Sequence, residues 1–180
     1  MRLDIIGAQI ERIEGIVRSM LDRTRFGEVK LAPLDVNEIL RGVAEIIAPN
    51  LEAENVRLAL SLSENLPKID GSGERLQQVF LNLVNNATDA MPAGGKLKIK
   101  TSEGENKTVV VEISDSGAGM DEETKKRIFE PLFTTKQRGR GTGLGLVVVR
   151  RILLEHRARI EVESEKGKGS CFRLHFPAAS

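Results

Sequence analysis

The sequence has few aromatic residues, the side chains on which nucleic-acid bases stack. Only 3% of its 180 residues are aromatic, and it contains neither Trp nor Tyr. Base stacking on aromatic side chains is therefore disfavoured. The net charge of +1 provides no basic field that would attract a phosphate backbone. We expect no nucleic-acid partner.

The single cysteine and the lack of a long apolar run exclude further classes. Cys171 alone cannot form an internal disulfide framework or a cysteine-based zinc site. No run of about 18 apolar residues is present, so we expect no membrane contact in this chain. Arg2 and Asp4 lie in a helical pattern, which is unlike a secretory signal. We expect a cytoplasmic domain, although its parent protein could be membrane-anchored.

The first 27 residues form a pattern of their own. Apolar residues recur from Leu3 to Met20 at alternating steps of three and four, which is a heptad stripe. The stripe favours a helix of a bundle, and its short length leaves open a helix packed on its own domain. Gly27 then ends the pattern. We divide the chain into a helix and linker at residues 1–27 and one domain at residues 28–180.

From residue 28 onward the pattern predicts a mixed α/β domain. Asp35 and Asn37 are candidate caps for a first helix, and residues 67–73 are predicted to form a turn. Longer helices are predicted at residues 74–91 and 144–155. Alternating apolar residues predict strands at residues 29–34, 56–62, 96–101, 108–114, 160–164 and 171–176. Helices combined with an antiparallel-rich sheet predict a two-layer α/β sandwich.

The helix predicted at residues 74–91 carries three polar residues in one stripe. Asn82, Asn86 and Asp89 fall at positions i, i+4 and i+7. A solvated surface is the alternative, but Asn is a mediocre helix former, and Glu or Lys suits a surface better. The amide oxygen of Asn is a neutral hard ligand, suited to a Mg²⁺ ion that already carries phosphate oxygens.

Residues 115–120 read Asp-Ser-Gly-Ala-Gly-Met and follow an apolar strand. Gly117 and Gly119 allow a tight path and let a ligand approach the backbone. Asp115, at the strand end, can accept a hydrogen bond from an exocyclic amine such as that of adenine. A plain turn is the alternative, because Asp, Ser and Gly are turn residues.

Residues 139–146 read Gly-Arg-Gly-Thr-Gly-Leu-Gly-Leu and lead into a predicted helix. A glycine-rich approach to a helix N-terminus presents free N–H groups and a favourable dipole to an anion. Lys136, Arg138 and Arg140 add positive charge just upstream. A flexible linker is the alternative, though linkers do not usually open directly into an amphipathic helix. The pattern fits neither a Walker loop nor a dinucleotide fingerprint.

These stretches resemble, in order and spacing, the four sequence boxes of histidine-kinase ATP-binding domains. The boxes are NLVNNA at residues 82–87, DSGAG at 115–119, FEPLFTTK at 129–136 and GTGLGL at 141–146. The resemblance covers about residues 28–177 and is closest to nitrogen-regulation and PAS-linked kinases of the GHKL superfamily. It implies a two-layer α/β sandwich of the Bergerat ATP-binding type, preceded by one helix of a dimerisation bundle at residues 1–27.

The resemblance also implies the cofactors ATP and Mg²⁺ and a role for each site residue. Asn86 is the expected metal ligand, Asn82 supports the phosphates, and Asp115 holds the adenine amine with help from Ser170 through a water. Phe129 and Phe133 are expected to anchor the lid without contacting ligand. The full set of expected cofactor contacts is Asn82, Asn86, Asp89, Asp115, Gly117, Gly119, Met120, Lys136, Arg140, Thr142, Gly143, Leu144, Gly145 and Ser170.

Four positions differ from the residues that many or some relatives carry. Leu132 stands where many relatives carry Phe, and Arg157 with Ala158 replaces Gly-Gly after His156. The second departure puts the geometry between the last helix and its following strand in question. Some relatives carry Lys at the position of Asp89, so we expect the cation for the γ-phosphate to come from the lid.

The same resemblance predicts the chemistry of the chain. Related ATPases carry a catalytic Glu at the position of Asn82, and an amide cannot accept the proton of water. Phosphoryl transfer to a protein is therefore favoured over hydrolysis. Only His156 and His175 are available, and neither lies in an acceptor pattern, so both are expected to be structural. The chain therefore provides no catalytic phosphoacceptor and is not expected to autophosphorylate alone.

The expected partners follow from the missing acceptor. They are a histidine-bearing dimerisation helix of a homodimeric parent kinase and the receiver domain of a response regulator. Two other classes stay open at this point. A conformational-clamp ATPase predicts ATP turnover without a histidine protein, and a nucleotide-binding switch predicts affinity without transfer.

Overall fold

The computed structural model describes residues 30–136 and 141–179. The heptad segment and the proposed boundary after residue 27 lie outside the described residues and stay predictions. The described elements are β1 (Ala32–Leu34), α1 (Val36–Ala53), β2 (Val56–Ser61), β3 (Ile69–Gly71), α2 (Gly73–Asp89), β4 (Gly95–Glu103), β5 (Val109–Asp115), α3 (Glu122–Arg127), α4 (Gly145–Glu155), β6 (Arg159–Glu165) and β7 (Gly169–Phe176).

Five of the strands form one sheet in the order β2-β4-β5-β7-β6. β2 runs parallel to β4, and the other neighbouring pairs are antiparallel. The helices α1, α2 and α4 pack as a layer on one face of this sheet. The predicted two-layer α/β sandwich is therefore confirmed.

Helix α2 is central to the core. Leu76, Val79, Phe80 and Leu83 on its inner face are fully buried, and each such side chain contributes about 1.5–3 kcal/mol when it leaves water. Because side chains at i, i+3 and i+4 share one face, the stripe of Asn82 and Asn86 is directed away from the sheet. The packing of α2 therefore determines where its polar stripe lies.

The start of α1 distinguishes the two candidate caps. The carboxylate of Asp35 accepts a hydrogen bond from the Asn37 backbone N–H at 2.8 Å, so Asp35 is the N-cap. Asn37 is instead buried. Its amide nitrogen donates to the Ser63 carbonyl at 2.8 Å, and its oxygen accepts from the Thr101 hydroxyl at 2.9 Å.

The turn predicted at residues 67–73 is partly wrong. Residues Ile69–Gly71 form β3, which pairs antiparallel with β1 as a separate two-stranded sheet. Three residues are too few to show an alternating pattern, so only the pairing identifies the strand. Among the described helices, none is both long and apolar enough to cross a membrane.

The outer face of the sheet, opposite the helices, is polar. Arg173 in β7 makes a bidentate ion pair with Glu163, with distances of 2.6 and 3.0 Å. Arg173 also donates to Glu112 at 3.1 Å. On the same face the Ser114 hydroxyl donates to the Cys171 sulfur at 3.3 Å. Cys171 therefore lies in a strand, as predicted, and is half-buried.

Candidate functional site

A cleft of about 550 Å³ lies between α2, the adjoining ends of β5 and β7, and the segments on both sides of residues 137–140. It brings together residues from three separate glycine- or asparagine-rich stretches of the sequence. The predicted site residues that line it are Asn82, Asn86, Asp89, Asp115, Gly119, Met120, Lys136, Thr142, Gly143, Gly145 and Ser170. Their proximity in the fold is established, and their contacts with a ligand stay predictions.

The polar stripe of α2 forms one wall of the cleft. Asn82 and Asn86 are half-buried, and Asp89 is exposed at the last residue of the helix. Asn85 also lines the cleft, although it was not among the predicted site residues. Asn85 lies one position from Asn86, and the i, i+4 spacing does not include it. The clustering of three Asn residues was the signal that could have found it.

The ammonium group of Lys136 contacts this wall. It donates to the Asn86 side-chain oxygen at 3.2 Å and to the carboxylate of Asp89. Asp89 lies at the negative end of the α2 dipole, where α2 has no basic residue of its own in its last turn. A cation is favoured at that position. The end of α2 is therefore a place where the fold already holds a positive charge.

The opposite end of the cleft, called here the strand end, is formed by Asp115 and Ser170. These residues are register partners across β5 and β7. The Asp115 carboxylate accepts a hydrogen bond from the Gly117 N–H at 2.8 Å. Burial raises the pKa of Asp115, and hydrogen bonds from the backbone of Gly117 and Ser170 only partly offset that effect. The remaining lone pairs of this carboxylate can accept a hydrogen bond from an amine of a ligand.

Close backbone packing shapes the strand end. Gly119 has a φ of +61°, and a Cβ atom there would lie 2.0 Å from the Glu165 carbonyl oxygen. Gly169 has a φ of +86°, and its Cβ would lie 2.0 Å from the Asp115 carbonyl oxygen. Neither position can hold a side chain without moving the backbone. The two glycines therefore let the loop after β5 pack directly on the last hairpin.

The third predicted stretch brings the N-terminus of α4 to the α2 wall. A Cβ atom on Gly145, the first residue of α4, would lie 3.5 Å from the Asn82 side-chain oxygen. The N-cap Leu144 makes no side-chain capping bond, so among the described residues no side chain caps the N–H groups of the first turn. With the helix dipole they favour an anion at this position.

A backbone contact joins the two described parts of the lid, defined here as residues 129–136 and 141–144. The Leu132 N–H donates to the Gly143 carbonyl at 3.0 Å. Leu132 has a φ of +64° and Gly143 a φ of +65°. A Cβ atom on Gly143 would lie 2.5 Å from the Leu132 carbonyl carbon. Gly143 is therefore required for the close approach of these two segments.

Two of the predicted site residues do not line the cleft, and a third lies outside the described residues. Gly117 does not line it and instead holds the Asp115 carboxylate through its N–H. Leu144 does not line it and is the N-cap of α4. Arg140 lies outside the described residues, as does Arg138. The prediction of a direct contact for Arg140 stays open.

The apolar wall of the cleft was not predicted. Ile128, Leu146 and Phe172 line it, and each belongs to the hydrophobic core or packs against it. Phe133 also lines the cleft, with the Arg127 guanidinium 4.3 Å above its ring. Phe129 packs against the core, as expected of an anchor. Phe133 thus borders the cleft, and the expectation that it anchors the lid without contacting a ligand stays a prediction.

Both histidines are remote from the cleft. His156 is buried, its Nε2 accepts from the Ser72 N–H at 3.0 Å, and its Nδ1 contacts the Ile152 carbonyl at 2.7 Å. His175 belongs to the outer face of the sheet, where its Nε2 lies 3.5 Å from the Glu161 carboxylate without a hydrogen bond. Neither lines the cleft.

The turn that joins α4 to β6 keeps a regular helix-terminating geometry at Arg157. Arg157 has a φ of +53°. Its N–H donates to the Leu154 carbonyl at 3.1 Å, and the Ala158 N–H donates to the Leu153 carbonyl at 2.8 Å. This pair of bonds is a Schellman motif with Arg157 at the left-handed position, where glycine is usual. The motif forms despite the departure from Gly-Gly.

Sequence comparisons identify relatives among bacterial kinases. Residues 71–180 match the family model described as histidine kinase-, DNA gyrase B- and HSP90-like ATPase. The chain is 34% identical over 174 residues to sporulation kinase E of Bacillus subtilis, covering 97% of this chain and 23% of that protein. It is 32% identical to the sensor histidine kinase ZraS of Escherichia coli, covering 96% of this chain and 37% of ZraS. The chain thus spans less than half the length of these relatives.

Solved structures of histidine kinases have the same fold. The catalytic domain of histidine kinase ThkA superposes with a TM-score of 0.72 at 31% identity, covering 83% of this chain and 96% of that one. Full-length ShkA in complex with AMPPNP gives 0.76 at 32% identity, covering 86% of this chain and 32% of ShkA. ThkA in complex with the response regulator protein TrrA gives 0.78 at 27% identity, covering 99% and 51%.

Proposed function

This chain belongs to the histidine kinase-, DNA gyrase B- and HSP90-like ATPase family, and we propose that it is the ATP-binding catalytic domain of a two-component sensor histidine kinase. In this proposal it donates the γ-phosphoryl group of Mg-ATP to a histidine on a dimerisation helix. A response regulator then receives the phosphoryl group on an Asp. The named relatives are sporulation and sensor kinases, which supports this choice within the family.

The observation that carries the proposal is that the two ends of one cleft differ in their chemistry. Its strand end presents the acceptor Asp115. Its other end combines Asn82, Asn86 and the N-terminus of α4, where Leu144 makes no side-chain capping bond. An amine-bearing base suits the first end, and a phosphate chain suits the second. The ShkA structure was solved with AMPPNP, which supports an adenine nucleotide as the ligand here.

The residues at the phosphate end fit a magnesium ion. The Asn86 oxygen already accepts from an ammonium cation, and Asp89 adds a carboxylate nearby. Mg²⁺ is commonly held by one or two protein oxygens together with substrate phosphates. Among the described residues there is no cluster of three or more His, Cys, Asp or Glu. When bound, the ion would neutralise phosphate charge.

Asn82 can help position a nucleotide but cannot activate water as a general base. Asn82 faces the N-terminus of α4, and its amide has no basic group to take a proton. Lys136 supplies positive charge near Asn86. Phosphoryl transfer depends mainly on positioning and charge neutralisation. The described residues therefore suit transfer to an incoming nucleophile better than hydrolysis.

The proposed nucleophile belongs to another segment of the parent protein. His156 has both ring nitrogens occupied inside the core, and His175 lies on the face of the sheet opposite the helices. The acceptor is therefore proposed on the first helix of a dimerisation bundle in a homodimeric, cytoplasmically exposed kinase. The ThkA structure solved with TrrA supports a receiver domain as the next partner.

The proposal is tested by supplying the missing acceptor. The chain is mixed with Mg-ATP and a separate dimerisation domain that carries the acceptor histidine, and acid-labile phosphate on that domain is measured. We expect transfer with the parent chain and a loss of at least tenfold with Asn86→Asp or Asp115→Asn. ATP turnover without the acceptor domain would indicate a clamp ATPase instead. ATP binding without transfer would indicate a nucleotide-binding switch.

A further inference from the structure

Three hydrogen bonds converge on the hydroxyl of Ser164, in β6 beside the strand end of the cleft. The Met120 N–H donates to Ser164 Oγ at 2.8 Å. The carbonyl oxygen of Gly169 lies 3.0 Å from the same atom, as does the hydroxyl of Ser170. Met120 and Ser170 line the cleft, whereas Ser164 does not. Ser164 therefore contacts the cleft only through its neighbours.

The number of protons decides the direction of each bond. A serine hydroxyl has one proton and two lone pairs. The Gly169 carbonyl can only accept, so the Ser164 hydroxyl uses its one proton to donate a hydrogen bond to it. The Met120 N–H can only donate, so one lone pair of Ser164 Oγ accepts its hydrogen bond. The bond to Ser170 must then use the proton of Ser170, and all the hydrogen-bonding capacity of Ser164 is used.

This assignment fixes how Ser170 meets a ligand. Because its proton is directed to Ser164, Ser170 presents only lone pairs to the cleft. Asp115 is its register partner across the β5–β7 ladder, and an ionised carboxylate is also an acceptor. The strand end thus places two acceptors side by side. An acceptor facing them would be left without a partner, which is costly in a partly buried site.

We propose that Ser164 is a specificity-determining residue that orients the Ser170 hydroxyl as an acceptor and thereby selects a 6-amino purine over a 6-oxo purine. The inference rests on the proposed nucleotide function. Ser164 touches no ligand itself and acts as a positioning residue.

The chemistry of the two bases differs at the two adjoining atoms that would meet this end. A 6-amino purine offers an N–H donor at position 6 and a lone pair at N1, whereas a 6-oxo purine offers a carbonyl oxygen and an N1–H. The amino group can donate to Asp115 or Ser170 directly. The two N–H groups of the 6-amino group can serve both acceptors, whereas the carbonyl oxygen of a 6-oxo purine at this position would find no donor on either residue. This pairing favours the 6-amino base.

The experiment compares ADP with IDP, its 6-oxo counterpart, on the full 180-residue chain. Dissociation constants are measured by calorimetry for the parent and for Ser164→Ala. We expect the ratio of the IDP to the ADP constant to fall about fivefold in Ser164→Ala, mainly through weaker ADP binding, since one oriented hydrogen bond is lost. The preference for ADP that remains in this variant is expected to come from Asp115.

Ser114→Ala is the matched control. Ser114 also donates from a strand to a β7 neighbour, Cys171, but on the outer face of the sheet. The ratio of the IDP to the ADP dissociation constant in Ser114→Ala should equal that of the parent chain. Equal weakening of ADP and IDP in Ser164→Ala would indicate a merely structural role and overturn the proposal, as would no change in either constant. A parent chain that binds neither nucleotide would refute the proposed function itself.

A second variant covers the case in which Ser164→Ala does not fold. Ser170→Ala removes the oriented acceptor and should lower the same ratio by a similar factor. Where both single variants fold, the double variant should show no further fall, because Ser164 acts only through Ser170. An unchanged ratio in Ser170→Ala contradicts the proposal.

Discussion

The ammonium group of Lys136 donates a hydrogen bond to the carboxylate of Asp89, joining the lid to the last residue of α2. The two residues are 47 positions apart in the sequence. The same ammonium donates to Asn86, the proposed ligand of a metal ion. A positive charge from the lid is therefore held at the end of the cleft where the phosphates are proposed to bind.

Replacing this charge should weaken binding according to the number of phosphates on the ligand. We expect Lys136→Met to lower ATP affinity about tenfold and to leave adenosine affinity unchanged, because only the phosphates meet the lysine. Calorimetry with adenosine, ADP and ATP measures the trend. Lys126→Met, on the exposed side of α3, is the control and should bind all three like the parent. Equal losses for adenosine and ATP would show that Lys136 only stabilises the lid.

The half-buried carboxylate of Asp115 should cost stability as the pH rises. Burial raises its folded-state pKa above the ordinary value of an Asp carboxyl. The folded protein therefore keeps this proton over a pH range in which the unfolded chain has released it, and its free energy of unfolding falls as the pH rises through that range. Asn does not titrate. The stability of Asp115→Asn relative to the parent should therefore increase from pH 4 to pH 7, as measured by urea unfolding.

The same substitution should weaken recognition of the base. Asp115→Asn keeps the size of the side chain but replaces a carboxylate acceptor by an amide, so we expect at least a tenfold loss of ADP affinity at pH 7. Higher stability with lower affinity separates a binding role from a structural one. A stability difference that is constant with pH would show that Asp115 does not titrate differently in the folded protein.

A methyl group at Gly143 should separate the two parts of the lid. Gly143→Ala places a Cβ 2.5 Å from the Leu132 carbonyl carbon at a φ of +65°. We expect loss of the Leu132–Gly143 backbone bond and at least a tenfold loss of ATP affinity. Gly42→Ala is the control, because nothing lies within 4 Å of its Cβ position in α1. That variant should bind normally and gain about 0.5–1 kcal/mol of stability.

Arg157 offers a test of backbone strain. Its φ of +53° lies in the left-handed region, which costs an L residue about 1–2 kcal/mol. We expect Arg157→Gly to raise the free energy of unfolding by about 1 kcal/mol, since glycine is the usual residue at this position of the motif. Arg150→Gly, at an exposed position inside α4, should instead lower it by about 1 kcal/mol. Chemical denaturation measures both, and a destabilised Arg157→Gly would contradict the assignment.

Much of the fold could be predicted because its elements carry local signals. Helix α2 shows an apolar face with 3.6-residue periodicity, and its observed range of Gly73–Asp89 differs from the prediction by only a few residues. Strand β3 could not be predicted, because three residues show no periodicity and its order depends on pairing with β1. The side-chain capping bond at α1 was also decided by the structure, since Asp35 and Asn37 are both good caps in isolation.

The candidate site divides in the same way. Asn82, Asp115 and Gly145 were predicted because each lies in a short stretch whose residue types suit a nucleotide. The apolar wall was missed, since core residues that border a cleft have the same sequence pattern as core residues elsewhere. The directions of the hydrogen bonds around Ser164 could not be predicted from the sequence either, because they depend on three hydrogen bonds between separate segments.

The sequence by itself determined the family, the sandwich of helices on a sheet, and the residue types of the site. It could do so because amphipathic periodicity and glycine-rich turns are local properties of the chain. Only the tertiary structure decided that Lys136 meets Asp89 and that Ser170 presents an acceptor to the cleft. These relationships join residues from different elements, and their geometry exists only once the core has packed and brought those elements together.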